Sequence, residues 1–223
     1  MKQTISLLQI VRSLFFALLF IQTISSCKKD SHPTPKDYST SIKTKTWWGQ
    51  ITYSGQTAEY YSVHFNADNT LLWSQLSGDY TGKWSIADKT ISLSFDASPA
   101  VIKASITEDD KFFNISDNTG YYEINSGQIV SNPDMVLDNT IWKGSAIIIL
   151  PIAYQLNFLT GNKLDTKKGT TTTGPYTYTR SASGGAIRIK VSGTEQSFGV
   201  ITSSTEMKGS YNDASAPWSL TKQ

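Results

Sequence analysis

The chain has 223 residues, of which 17% are charged and 12% are aromatic, and it contains one cysteine. Its 20 basic and 18 acidic residues are scattered without a basic cluster, which argues against nucleic-acid binding. A single cysteine excludes an internal disulfide. The abundance of Thr, Ser, Gly, Tyr and Ile is typical of an all-β protein.

Residues 1–26 have the pattern of an export signal. Lys2 and Arg12 supply positive charge, and residues 14–21 form an uncharged apolar run too short to span a bilayer as a helix. Removal of this segment takes away two basic residues and no acidic residue, so the remaining chain has 18 of each sign. We therefore expect a nearly neutral mature protein.

The apolar run ends in Ile24-Ser25-Ser26-Cys27, an aliphatic residue and two small residues before the cysteine. This pattern resembles the lipobox of bacterial lipoproteins. The resemblance implies cleavage before Cys27, a thioether-linked lipid on its sulfur and acylation of the new N-terminus, giving a stable membrane anchor. The alternative is an ordinary signal peptide with a chance cysteine near the cleavage site.

Lys28-Lys29-Asp30 follows the cysteine and is similar to the start of surface lipoproteins of the Bacteroidetes. This second resemblance implies an outer-membrane protein exposed at the cell surface; a solvated charged tether is the alternative. The polar residues that follow include Pro33 and Pro35, so residues 27–44 are predicted to be a flexible tether.

The rest of the chain is predicted to contain two tandem repeats, at residues 45–126 and 138–223. A connector at residues 127–137 joins them and is expected to be packed. We therefore expect the two units to touch. Four motifs recur in the same order, 93 to 96 residues apart. The pairs are Trp47-Trp48-Gly49 with Trp142-Lys143-Gly144, Tyr61–Phe65 with Tyr154–Phe158, Gly78–Thr81 with Gly174–Thr177, and Ile91–Phe95 with Ile187–Val191.

Each unit is predicted to contain about eight short strands separated by turns rich in Asn, Asp and Gly. Such brief connections favour an antiparallel meander, and closing each meander into a small barrel removes its exposed edges. A pair of β-sandwiches, or one larger sandwich, is the alternative. Alternation places Ser62 with His64, and Gln155 with Asn157, on a face expected to be solvated.

The opening Trp-x-Gly strand, the aromatic strand ending in Phe and the hairpin after it resemble the lipocalin-like domains of Bacteroidetes lipoproteins. The resemblance covers both units. It implies two tandem lipocalin-like barrels, a fold that is associated with ligand binding.

Catalytic equipment is sparse. Cys27 is assigned to lipid, His32 lies in the tether and His64 lies on a polar strand face. No nucleophile elbow, phosphate-binding loop or metal-ligand spacing is found, so we predict a non-enzyme without cofactor or metal. A glycosidase pair of carboxylates from distant positions is left open.

Two segments are candidates for binding or docking. Residues 146–153 are apolar on both strand faces, which favours packing against the first unit, or else a wall for an apolar ligand; its candidate residues are Ile147, Ile149 and Ile152. Residues 163–180 are rich in Thr, Lys and Gly, which favours exposed edge strands, with a polar binding loop as the alternative.

Three tryptophans, Trp73, Trp84 and Trp218, have no counterpart in the other unit. They are candidates for stacking on a sugar or an apolar ligand, although core packing explains each of them as well. The sequence thus favours non-catalytic binding of a small apolar molecule or a glycan. The alternative is a structural or interaction subunit that docks on another envelope protein.

Overall fold

The computed structural model describes residues 36–53, 56–129, 134–211 and 216–223. Within these ranges the chain forms sixteen β-strands and one short helix, α1 (Tyr38–Ile42). Cys27 and the predicted signal segment lie outside the described residues. The strands are β1 (Thr46–Tyr53), β2 (Glu59–Phe65), β3 (Thr70–Gln75), β4 (Gly78–Ala87), β5 (Thr90–Phe95), β6 (Ser98–Ile106), β7 (Lys111–Asp117), β8 (Tyr122–Ile129), β9 (Ile141–Ile147), β10 (Pro151–Leu159), β11 (Lys163–Lys168), β12 (Thr171–Arg180), β13 (Ala186–Val191), β14 (Thr194–Ile201), β15 (Glu206–Tyr211) and β16 (Ala216–Lys222).

The strands close into two barrels. Strands β1–β8 form the first barrel and β9–β16 the second, each an antiparallel meander whose first strand pairs with its last. The predicted all-β architecture of two eight-stranded units is therefore confirmed, and a pair of sandwiches is excluded. Closure leaves every strand with two neighbours, which satisfies the backbone groups that an open sheet would expose at its edges.

The strand register repeats between the barrels. Gly49 lies opposite Tyr61 on β1 and β2, and Gly144 lies opposite Tyr154 on β9 and β10. The first two sequence motifs therefore occupy equivalent places in the two barrels.

The third motif pair is out of register by two residues. Leu71 pairs with Gly82, whereas the equivalent Leu164 pairs with Tyr176. Tyr176 therefore corresponds to Gly82 and not to Tyr80. Both hairpins have a two-residue connection, but the β11–β12 pairing contains a β-bulge between Leu164 and Thr166 that the β3–β4 pairing lacks, so the motif match does not follow the strand register.

Trp84 consequently has a counterpart, Tyr178, and the expectation that it has none is wrong. The ring of Trp84 packs edge-on against Phe65 with centroids 5.6 Å apart. The ring of Tyr178 packs in the same way against Phe158, at 5.1 Å. Both pairs fill the same level of their barrels.

Helix α1 closes one end of the first barrel. Asp37 caps it by accepting hydrogen bonds from the backbone N–H groups of Ser39 and Thr40, and Tyr38 and Ile42 are buried in the barrel core. The flexible tether predicted to reach residue 44 is therefore too long, because two apolar side chains fix this segment. No helix in the described ranges is long and apolar enough to cross a membrane.

The two barrels lie against each other within one compact unit, residues 37–223. Trp48 is only 8% exposed and packs with the core of the second barrel, where Lys208 Nζ lies 5.6 Å from its ring centroid. Ser62 and Ser74 are fully buried, and the Ser74 hydroxyl accepts a hydrogen bond from the backbone N–H of Ser183. The predicted contact between the units is thus present, and the expectation that Ser62 is solvated is wrong because this face packs against the second barrel.

Arg188 on β13 makes the strongest polar link between the barrels. Its guanidinium donates to the backbone carbonyl oxygens of Gln75 and Gly78, and it makes two bonds of 2.8 and 3.0 Å to the Asp79 carboxylate. Burial opposes ionisation of Asp79, but the bonds from Arg188 and Ser74 outweigh it and hold the pKa of Asp79 below its usual value. These bonds fix the β3–β4 turn of the first barrel to the second barrel.

Candidate functional site

A cavity of about 500 Å³ opens at the end of the first barrel opposite α1. Its walls come from the ends of strands, for example Tyr53 at the end of β1, Glu59 at the start of β2 and Tyr122 at the start of β8. Helix α1 instead joins the barrel beside Phe65, at the other end of β2. The first barrel is therefore closed at the end that carries α1, which we call its base, and open at the other end, which we call its mouth.

Three tyrosines form an aromatic cluster at the mouth. The ring of Tyr53 lies 5.9 Å from that of Tyr121 and 5.4 Å from that of Tyr122, and the last two rings are 5.0 Å apart. Tyr121 is 47% exposed, although a large aromatic ring gains by burial. The cluster thus presents aromatic surface to whatever enters the cavity.

The deeper wall is also aromatic. Trp73 stacks on Tyr61 with centroids 4.1 Å apart and meets Phe95 edge-on at 5.5 Å. Trp73 is one of the predicted binding residues, and it both packs in the core and lines the cavity. Its fixed orientation provides a preformed apolar surface, which reduces the ordering cost of binding a ligand.

A chain of polar side chains runs from this wall to the mouth. The indole N–H of Trp73 donates to Gln75 Oε1 at 3.0 Å, and the Gln75 amide donates to Ser77 Oγ at 2.8 Å. Ser77 Oγ lies 3.1 Å from the Tyr80 hydroxyl. The cavity therefore combines aromatic faces with amide and hydroxyl groups that can exchange hydrogen bonds with a ligand.

The cavity wall includes one acidic side chain. Among the fifteen described lining residues, Glu59 is the only one with a charged side chain. Burial, together with the nearby Glu59 carboxylate, raises the pKa of Tyr53 well above its usual value.

Two other predicted tryptophans lie away from the cavity. Trp84 is buried and donates its indole N–H to the backbone carbonyl oxygen of Asn66, after the far end of β2. Trp218 is buried in the second barrel and donates to Ser197 Oγ at 3.1 Å. Both serve as core residues, which was the alternative interpretation of each.

The interior of the second barrel is densely filled around Trp218. A Cβ atom added to Gly199 or Gly209 would lie 2.4 or 2.2 Å from the Trp218 ring. Glycine is therefore required at both positions for the indole to fit. The two barrels have the same strand order but different interiors.

The apolar segment of the second unit is exposed and not buried as expected. Ile147, Ile148, Ile149 and Leu150 form the tip of the β9–β10 hairpin and are 50%, 49%, 91% and 71% exposed. Alternation ends there because the strand pairing ends, so these side chains project beyond the barrel wall. Ile152, by contrast, is half-buried against the core of the second barrel.

The segment at residues 163–180 is also different from its prediction. It forms β11 and β12, and each of these strands pairs on both sides inside the closed second barrel. The expectation of edge strands is therefore wrong. The lysines of this segment lie on a barrel wall.

Among the residues that line the cavity, the sequence indicated only Trp73 as a binding candidate. It did not indicate, for example, Tyr53, Glu59, Gln75, Tyr121 and Tyr122. Their only signal is their place at strand ends, next to predicted turns. In a meander barrel, all the turns at one end come together in space. Aromatic residues next to alternate turns are therefore expected to lie around the same open end. That rule selects the three tyrosines once closure is assumed, but not Glu59 or Gln75.

In the described ranges no group of three or more His, Cys, Asp or Glu side chains comes together to hold a metal ion. No protein family model, curated protein or solved structure matches the chain.

Proposed function

We propose that this protein is a lipid-anchored lipoprotein of the bacterial outer membrane, with two lipocalin-like barrels, and that its first barrel binds a small molecule without transforming it. The observation that carries the proposal is the aromatic-lined cavity at the mouth of that barrel. Its volume of about 500 Å³ lies within the range of roughly 300–1,000 Å³ common for small-ligand sites.

The composition of the wall supports binding rather than catalysis. The described lining contains one carboxylate, Glu59, and neither histidine, cysteine nor lysine. General acid–base or nucleophilic catalysis needs a reactive group with a partner that activates it. Aromatic faces beside amide and hydroxyl groups suit a ligand with apolar surface and a few polar groups, such as a small amphiphile or a sugar.

The lipobox residues support the location. A lipid on Cys27 would hold the protein at a membrane. A protein anchored in this way and exposed at the cell surface could bind a ligand from outside the cell.

Filling the cavity tests the proposal. Ser98 begins β6 and lines the cavity, so Ser98→Trp should abolish the binding, measured by calorimetry, of ligands found in a metabolite and glycan screen. Ser94→Trp is the matched control, because Ser94 is exposed on the neighbouring strand. Unchanged binding by the Ser98 variant would place the ligand elsewhere and overturn the proposal.

A second candidate function is an interaction subunit that docks on another envelope protein. It rests on the exposed hairpin tip, where Ile149 and Leu150 are 91% and 71% exposed. Clustered exposed apolar side chains are typical of interaction surfaces. A photo-crosslinking amino acid at position 149 should then capture one defined envelope protein, and Leu150→Asp should prevent that capture; crosslinks to many unrelated proteins, or none, would contradict this function.

A further inference from the structure

The wall of the cavity in the first barrel has a polar side and an apolar side. Strands β3 and β4 and the turn between them supply the polar groups of Gln75, Ser77 and Tyr80. Strands β5 and β6 and their connection supply apolar side chains, which are Phe95, Ala97, Ala100 and Ile102. Because β3 and β6 are three places apart in a ring of eight strands, a bound molecule contacts the two sides with different parts of its surface.

The hydrogen bonds of the polar side leave a donor at its end. The indole N–H of Trp73 can only donate, so it engages the side-chain carbonyl oxygen of Gln75, whose amide in turn donates to Ser77 Oγ. Ser77 Oγ lies 3.1 Å from the Tyr80 hydroxyl, and one of their two protons forms the bond between them. Among the described contacts no acceptor takes the other proton, so the Ser77–Tyr80 pair can donate it to a ligand.

The apolar side offers little to a polar group. Phe95 lies edge-on to Trp73, and Ile102 is buried in the core of the barrel. Ser98 is the polar residue on this side, and its hydroxyl accepts a hydrogen bond from the backbone N–H of Ala100 at 3.2 Å. The part of a ligand that faces this side is therefore expected to be apolar.

The cavity is also short, because packed rings fill the base of the barrel. Trp47 stacks on Phe112 with centroids 4.2 Å apart. Phe65 meets Trp47 edge-on at 6.2 Å and Trp84 at 5.6 Å. A long acyl chain would leave part of its length outside the barrel, whereas a compact ring can bury its apolar surface within the mouth half.

We propose that the cavity binds an uncharged ring compound with a hydrogen-bond-accepting oxygen at one edge, such as a cyclic ketone, lactone or ester. The proposal rests on the binding function proposed above and names its ligand class. The oxygen accepts a hydrogen bond from the Ser77–Tyr80 pair, while the opposite edge of the ring contacts Phe95 and Ile102.

Sugars and anions match this wall less well. A sugar carries hydroxyl groups around its ring, and those that face Phe95 and Ile102 would lose their bonds to water without replacement. An anion would lose its hydration although the described lining contains no lysine, arginine or histidine. A ketone gives up the hydration of one oxygen, and the hydroxyl pair replaces it.

Probes built on one bicyclic skeleton separate the ligand classes. The full-length protein in a non-ionic detergent is titrated with 1-tetralone, with tetralin, with the anion tetralin-1-carboxylate and with the ammonium form of 1-aminotetralin. Methyl glucoside represents a neutral sugar. Binding is followed by calorimetry, and the heat measured with detergent alone is subtracted. The ketone should bind, and both charged probes and the glucoside should bind at least about tenfold more weakly.

Removal of the two hydroxyl groups is the second arm. The double variant Ser77→Ala with Tyr80→Phe should weaken 1-tetralone binding about fivefold and leave tetralin binding unchanged, since only the ketone uses the donor. The matched control makes the same two changes elsewhere, Ser85→Ala on an exposed position of β4 and Tyr176→Phe in the second barrel. It should change the affinity of neither probe. Comparing each probe with itself across variants cancels the difference in hydrophobicity between the two probes.

The outcomes distinguish this proposal from the binding function. If a charged probe or the glucoside binds as tightly as 1-tetralone, or if the double variant leaves 1-tetralone binding unchanged, the ligand class is overturned. The class is also overturned if 1-tetralone does not bind, but the binding function stands as long as Ser98→Trp abolishes binding of a ligand from the metabolite and glycan screen. If no probe binds and the Ser98 variant retains every ligand from that screen, both proposals fail.

Discussion

Arg188 illustrates how much one residue can hold in this molecule. Its side chain is 5% exposed, yet its guanidinium bonds the Asp79 carboxylate and the carbonyl oxygens of Gln75 and Gly78. The ring of Phe198 lies beneath it at 5.5 Å. Gln75 and Ser77 line the cavity, so the link from the second barrel ends at the rim of the candidate site.

We expect Arg188→Met to destabilise the folded protein by about 1–3 kcal/mol, because it removes the donor to two carbonyl oxygens, whereas the Asp79 carboxylate, 39% exposed, is partly solvated without Arg188. Urea unfolding followed by circular dichroism measures this change. The control is Lys190→Met, since Lys190 is a third exposed and its bridge to Glu195 is 3.4 Å long; it should cost less than about 1 kcal/mol. Equal losses of unfolding free energy in the two variants would contradict a special stabilising role for the Arg188 contacts.

The roles of some single residues could be predicted from the sequence, and the roles of others could not. Trp47 and Trp142 recur because both are fully buried at equivalent places, so their pattern reports the core directly. The contacts of Arg188 and the tyrosine cluster at the mouth depend on residues far apart in sequence. Neither leaves a periodic signal, and both require knowledge of which turns and faces meet.

Close strand approach sets another requirement, at the level of the elements. Gly144 on β9 lies against β16, where a Cβ atom would come within 2.0 Å of the Ser219 carbonyl oxygen. Backbone atoms cannot move aside as a flexible side chain can. The Trp-x-Gly motif of the second unit therefore combines a core residue, Trp142, with the close contact that closes the barrel.

Gly144→Ala should destabilise the second barrel by roughly 1–3 kcal/mol, since the added methyl group forces β9 and β16 apart. Thermal unfolding measures the loss, and hydrogen exchange should rise first in β9 and β16. Ser145→Ala serves as the control because Ser145 is exposed on the same strand. An unchanged transition temperature in Gly144→Ala would show that the contact relaxes without cost.

Strands and turns were readable from the sequence because alternation and turn residues are local signals. The β9–β10 tip was misread because Ile147 to Leu150 carry the composition of a buried strand. Helix α1 was missed because five residues with polar neighbours carry too little periodicity to distinguish it from a tether. The register of β4 against β12 was lost for a third reason, since a shift of two residues preserves alternation.

At the scale of the whole molecule, duplication has produced two barrels with different interiors. The first keeps an aromatic cavity at its mouth, and the second is filled around Trp218 and supplies Arg188 to the rim of the first. The filled interior of the second barrel and its Arg188 contacts provide packed support for the first barrel. The exposed hairpin tip belongs to the second barrel, so binding and docking would reside on different units.

The proposed membrane location of the molecule rests on Cys27, and Cys27→Ser tests it. The lipobox pattern predicts that this variant loses its acyl chains and moves from the membrane fraction to the soluble fraction, since several chains together provide stable anchoring. Immunoblotting of fractionated cells measures the shift, with Ser26→Ala as the control that keeps both the cysteine and a small residue before it. Ligand affinity should be equal in the released variant and the anchored protein, because the cavity lies at the barrel end opposite Asp37. A Cys27→Ser variant that stays with the membrane would mean that another part of the molecule, such as the apolar hairpin tip, holds it there.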